Sequence, residues 1–171
     1  MGEMFNILPT EGIEINGKIR ILLGAKKDAA DELLKGHKDA DFDNSGYYYG
    51  SSLCIRKGND NTVSEIELIK ESLISVRIFD INPFKHKDEE IVGLLNEKLM
   101  EEPIKDGGSI EESTTVSWEK SGISLWRPST PKKVLESAEE ARADGFYEQW
   151  MKEEYGPSRY FQTILIKKPC R

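Results

Sequence analysis

The chain has 171 residues, 37% of them hydrophobic and 32% charged, with a formal net charge of −7. That is the size of one domain with material for a core. The acidity disfavours non-specific binding to nucleic-acid phosphate or anionic lipid and favours a basic protein partner, and no stretch approaches the roughly 20 apolar residues of a membrane span.

Glu3 stands where a signal peptide would open with a basic residue, so the chain is expected to be cytoplasmic. Turn signals at Pro9-Thr10-Glu11-Gly12 and Asn16-Gly17 surround an Ile13/Ile15 alternation, which predicts a bent strand or hairpin followed by Ile19 to Leu23. From Lys26 to Lys35, Ala29, Ala30, Leu33 and Leu34 fall on one helical stripe that Gly36 is expected to end. The aspartate-rich run His37 to Gly46 reads as a loop. Its Asp39, Asp41 and Asp43 lack the glycine and bidentate glutamate of a calcium loop, so no metal site is expected there. Tyr47 to Ile55, broken at Gly50, and the alternating segment Val63 to Lys70 predict a hairpin around Lys57-Gly58-Asn59-Asp60-Asn61.

Leu73 to Ile81 is the clearest strand, with Ile74, Val76 and Ile78 on one side. Lys87 to Leu99 then reads as a helix with Asp88, Glu89 and Glu90 in its first turn, where the dipole favours acids. Thr114 to Trp118 and Gly122 to Trp126 predict a second hairpin. Before a last strand, Tyr160 to Lys167, the chain inserts a charged helix from about Lys133 to Tyr155 with a break at Gly145. Between Glu136 and Glu154 that insert holds seven acids and two bases, a net of −5. Such a charge run reads first as a solvated helix covering one side of a sheet, and second as added function on a scaffold.

The first half echoes in the second. Lys26 to Leu34, Ser52 to Ile55 and Ser64 to Lys70 recur in order as Lys87 to Leu95, Ser124 to Arg127 and Phe161 to Lys168. The expected fold is therefore α+β: two tandem helix-plus-antiparallel-sheet units, residues 1–72 and 73–171, the second with a helical insertion over about 128–159, together forming one compact domain.

No phosphate-binding loop, dinucleotide fingerprint, nucleophile elbow or zincin motif is present. His37 and His86 lie in polar stretches outside any triad, and Cys54 and Cys170, without zinc or redox spacing, read as a buried thiol and a tail residue. No catalytic residue, cofactor or metal is expected. Aromatic residues are the stronger lead: three consecutive tyrosines on a strand cannot all face a core, and aromatics beside arginine have the composition of protein-binding hot spots. The candidate partner-binding residues are Tyr48, Trp118, Arg127 and Trp150, with Glu139, Glu140 and Glu148 as an acidic surface. Of the two hairpin tryptophans, Trp126 reads as the core residue. A pocket between helix and sheet with converging Arg77, Asp80, Arg127 and Tyr160 is the alternative, and would suit a small-molecule-binding protein or small enzyme.

The glycine-led helix Gly24 to Leu34, followed by Ser52-Leu-Cys-Ile55 and Ser64-Glu-Ile-Glu-Leu68, resembles the unit of β-lactamase inhibitor protein and of small outer-membrane assembly lipoproteins; the former carries two such units in tandem. Leu8 to Ile13, Gly122-Ile-Ser-Leu-Trp-Arg-Pro128 and Arg159-Tyr-Phe161 are similar to uncharacterised bacterial proteins, some of toxin-immunity neighbourhoods. Together the resemblances imply a non-enzymatic inhibitor or immunity protein that neutralises a basic partner, and they supply no catalytic residues. Lys26 and Lys27 depart from the usual hydroxyl at the helix start, and no lipoprotein cysteine stands near the N-terminus.

Overall fold

Alternating isoleucines build the first of two sheets. In the computed structural model, which describes residues 2–169, β1 (Glu3–Leu8), β2 (Gly12–Ile15), β3 (Ile19–Leu22) and β8 (Ile74–Ile78) form a four-stranded sheet in the order β3-β2-β1-β8. β1 and β8 run parallel and the other pairs antiparallel. The period of two turns Phe5, Ile7, Ile13, Ile15, Ile21, Ile74, Val76 and Ile78 to one buried face. Asn16 and Gly17 both adopt positive φ between β2 and β3, the conformation an Asn-Gly turn favours.

The second sheet has eight strands, in the order β4-β5-β6-β7-β12-β11-β10-β9, all antiparallel. Each half of the chain supplies a helix and then four of these strands. Helix α1 (Lys27–Leu34) precedes β4 (Lys38–Phe42), β5 (Ser45–Tyr48), β6 (Leu53–Lys57) and β7 (Val63–Ile69). Helix α2 (Asp88–Leu99) precedes β9 (Ile104–Lys105), β10 (Thr115–Trp118), β11 (Ile123–Trp126) and β12 (Thr163–Lys167). The two sets meet where β7 pairs with β12. One buried cluster joins both sheets: it draws Leu53, Ile55, Ile66, Leu68, Val116, Trp118, Ile123, Leu125, Ile164 and Ile166 from one face of the large sheet, and Ala30, Leu34, Ile91, Val92 and Leu95 from α1 and α2. The fold is α+β.

The expected segments differ from the elements at the polar ends. The run read as a loop over His37 to Gly46 contains β4, an edge strand whose residues are all exposed. Such a strand has no buried face, so it shows no apolar alternation. The helix that Gly36 was expected to stop continues through it as a 3₁₀ turn, Lys35–His37. Cys170, expected as a tail residue, lies outside the described residues.

The insertion is a helical hairpin. Helix α3 (Pro131–Ala143) has Pro131 in its first turn, and the Thr130 hydroxyl caps it by accepting from Lys133 N–H at 3.2 Å. It ends at Gly145, φ 80°, where Gly145 N–H donates to Arg142 O and Phe146 N–H to Ala141 O, the paired bonds of a Schellman turn. Helix α4 (Tyr147–Trp150) then runs through a π-helical stretch, Met151–Tyr155, into a last turn, Gly156–Ser158. In the whole hairpin only Pro131 and Ala138 are buried. A helix laid over a sheet would bury a stripe, so the expectation that this one covers a sheet is not met.

Candidate functional site

Strand register assigns every side chain of the large sheet to a face. Opposite the core, one row crosses all eight strands: Ala40, Tyr47, Cys54, Glu67, Leu165, Ser124, Ser117 and Ile104. The row on one side of it holds Phe42, Ser45, Arg56, Glu65 and Lys167; the row on the other holds Ile69, Thr163, Trp126 and Thr115. Phe42 is 69% exposed, Ile104 57% and Trp126 44%, while Tyr47, Leu165 and Ile69 are half-buried. Ile69, Leu165 and Trp126 surround Thr163, and Ser124 and Ser117 leave a low area beside Trp126. The charges on this face are largely self-paired, Arg56 meeting Glu65 at 3.1 Å and Glu67 at 2.6 Å, and with Lys167 they sum to zero. The result is a charge-balanced face on which Phe42, Tyr47, Ile69, Leu165 and Trp126 are set among serines, threonines and self-paired charges. Its one thiol, Cys54, is buried, and that burial pushes its pKa up, so it stays protonated and has no nucleophilic character.

The residues singled out from the sequence divide among three places. Trp118 has no exposed surface; it pairs with Ile123 on the core face and donates its indole N–H to Asn96 Oδ1 at 2.9 Å. Trp126, read as core, is the exposed member of the pair. Ile123 and Leu125 share one parity and Trp126 has the other, so the strand's own alternation reverses the two assignments. Arg127 is likewise buried. Its guanidinium meets Asp88 at 2.8 Å, and its nitrogens also donate to the carbonyls of Ser113, Ser158 and Ile110. Arg159 binds the same carboxylate at 2.9 Å from the other side. This node ties the start of α2 to both ends of the helical hairpin, and Arg127 holds the fold together where a partner contact was expected.

Tyr48 is also inside. Its hydroxyl donates to Asp31, which pairs with Lys27, and Lys38 lies 4.0 Å away. Burial first, then the Asp31 hydrogen bond, push the Tyr48 hydroxyl far above its usual range. Burial alone would raise the Asp31 pKa, but the hydrogen bonds from Lys27 and Tyr48 and the charges of Lys27 and Lys38 outweigh it and hold the carboxyl below its ordinary value. A depressed carboxyl contributes stability above its ordinary range, and loses it as the pH falls through the folded-state value. Asp31→Asn is therefore expected to lower the urea midpoint at neutral pH, with a deficit that shrinks on acidification. A deficit independent of pH would show that the Asp31 charge is not what stabilises.

Of the tyrosine triplet, Tyr47 reaches the open face, and Tyr49 packs edge-on to Phe5 and stacks on His37 at 4.2 Å.

Glu139, Glu140, Glu148 and Trp150 all belong to the helical hairpin, where the three acids are exposed. Only Glu140 and Trp150 come together. They line a cleft of about 600 Å³ between α3 and α4, with Ser137, Ala141, Asp144, Phe146, Gln149, Glu153 and Glu154. Glu139 instead lies 3.6 Å from Arg142, whose guanidinium stacks over Tyr147. Sequence reasoning passed over Phe42, Leu165 and Phe146. Phe42 was hidden in an edge strand, and Phe146 followed a glycine taken only as a helix break.

Among the described residues no cluster of histidine, cysteine and acids could hold a metal ion, and no helix is long and apolar enough to cross a membrane. Comparison with protein-family models, curated proteins and solved structures finds no match to the chain.

Proposed function

We propose that the chain is a non-enzymatic protein-binding module, of the inhibitor or immunity kind, that acts in the cytoplasm on a basic partner held against the open face of the eight-stranded sheet. The observation that carries this reading is the set of Phe42, Tyr47, Leu165, Ile69 and Trp126 on the sheet face opposite the buried cluster, where Phe42 and Trp126 are exposed. Isolated exposed apolar residues are ordinary, but a set aligned by register on one surface marks an interaction site. Tyrosine, tryptophan and phenylalanine supply most of the energy in such sites because they bury large areas for few rotatable bonds. The −5 carried between Glu136 and Glu154 within the helical hairpin adds a field that speeds encounter with a basic partner. The same reading takes the chain as one helix-plus-four-strands unit written twice. In its favour, each half supplies that order of elements and the halves meet antiparallel at β7 and β12.

The pocket reading has less behind it. Arg127 and Tyr160 share a cleft of about 150 Å³, below the roughly 300–1,000 Å³ of ligand sites, and the Arg127 nitrogens are already bonded. Among the described residues no hydrogen bond or ion pair links Arg77 or Asp80 to either.

A photo-crosslinking amino acid placed at Trp126 or Leu165, with Leu22 on the small sheet as control, tests the proposal in native cells. One protein adduct of one-to-one mass from the first two positions and none from Leu22 is expected. No adduct from either, or equal adducts from all three, would sink it.

A further inference from the structure

The cleft between α3 and α4 combines three features that are independent of the sheet. Its charged lining is wholly acidic: Glu140, Asp144, Glu153 and Glu154. Among the described residues the carboxylates of Glu140, Asp144 and Glu154 have no hydrogen-bonding or ionic partner, while Glu153 accepts only from Gln149, at 3.1 Å. Of the two bases between Glu136 and Glu154, Arg142 is occupied by Glu139 and the Tyr147 ring, and Lys152 does not line the cleft. The second feature is apolar: Phe146 is 60% exposed, and Trp150 forms a fixed wall because its indole N–H donates to Val134 O at 3.1 Å.

The third feature is that Asp144 caps the C-terminal end of α3. There the helix dipole presents partial negative charge and disfavours an acid. The fold thus concentrates negative potential around exposed aromatic surface without neutralising it. A cation over an aromatic face, flanked by carboxylates, relieves both.

We infer that this cleft is the docking groove for a lysine- or arginine-bearing segment of the partner protein, with the cationic head among Glu140, Asp144, Glu153 and Glu154 and its aliphatic stem against Phe146 and Trp150. The inference rests on the chain being a protein binder, and it assigns a second point of attachment apart from the sheet face. Basic side chains suit the site because a long apolar stem ends in a charge, which matches an aromatic wall with an acidic rim.

The test is a titration of the full chain with a tetra-arginine peptide, followed through the tryptophan indole N–H resonances. Saturable movement of the Trp150 signal is expected, with Trp118 and Trp126 unmoved. Phe146→Ala should weaken binding about fivefold, and Glu140→Gln with Glu153→Gln should weaken it further; these side chains are exposed and their replacement leaves the core intact. No saturable shift, equal affinity in Phe146→Ala, or tighter binding of spermine than of the peptide would overturn the assignment. Crosslinking from Trp126 involves no cleft residue. An inert cleft with adducts retained at Trp126 therefore defeats this inference alone, whereas peptide binding without such adducts defeats the sheet-face reading.

Discussion

Asp88→Ala is expected to remove about 3–5 kcal/mol of folding stability, the cost of stripping one partner from a buried ion pair. The carboxylate has no accessible surface and accepts from Arg127 Nη1 at 2.8 Å, Arg159 Nε at 2.9 Å and the Glu89 N–H at 3.0 Å. It also sits in the first turn of α2, where the helix dipole stabilises an anion. Removing it strands the Arg127 guanidinium, which is equally buried and has no route to water. Arg159 is partly exposed and lies 3.9 Å from Glu111, so it can turn outward, and Arg159→Ala should cost distinctly less. The decisive measurement is a double-mutant cycle in urea. Arg127→Met alone should be damaging because it leaves Asp88 buried with one cation fewer, yet Asp88→Ala with Arg127→Met should cost well under the sum of the singles. In a domain of this size the single loss lowers Tm by roughly 6–20 °C. A loss below about 1 kcal/mol for Asp88→Ala, or strict additivity, would mean that water reaches this node and that the ion pair does not bind the hairpin to the body.

That node also marks the limit of what the sequence discloses. Asp88 was legible as an acid at a helix start, and Arg127 as a base beside an aromatic. Their meeting was not legible, because they lie 39 positions apart and Arg159 lies 71 from Asp88. No local period encodes such a pairing. A strong local period carries further: β8 buries Ile74, Val76 and Ile78 as its alternation requires, and α2 buries Ile91 and Leu95 one turn apart, whereas of the α1 stripe Ala30 and Leu34 are buried but Ala29 and Leu33 are exposed. β4 failed for the complementary reason, since an edge strand exposed on both faces has nothing to alternate. The acidic surface of the insertion was readable from charge counts. Its aromatic wall was not, because Phe146 and Trp150 approach Glu140 only after the chain reverses at Gly145.

The two hairpin tryptophans give the sharpest test of which sheet face is free, because their roles in stability and binding should be opposite. Trp118 fills the core from β10 and satisfies its indole on Asn96, so Trp118→Ala removes a large buried ring, leaves a cavity and takes the donor from the half-buried Asn96 amide. The expected loss is about 3–5 kcal/mol. Trp126, eight residues later in the sequence but with its side chain on the opposite face, is 44% exposed. Trp126→Ala should therefore cost no more than about 1 kcal/mol, and in the intact protein its fluorescence should be quenched by iodide while that of Trp118 is shielded. On the reading of the open face as a docking surface the order inverts for partner affinity: a central aromatic anchor contributes about 2 kcal/mol or more, roughly thirtyfold in Kd. Stability and affinity would then be lost at different tryptophans of one hairpin. If Trp126→Ala instead unfolds the protein, that face is covered and the docking surface must lie elsewhere. If it leaves both stability and crosslinking from Leu165 untouched, Trp126 is a bystander and the anchor falls to Leu165 and Tyr47, which the same alanine series would reveal.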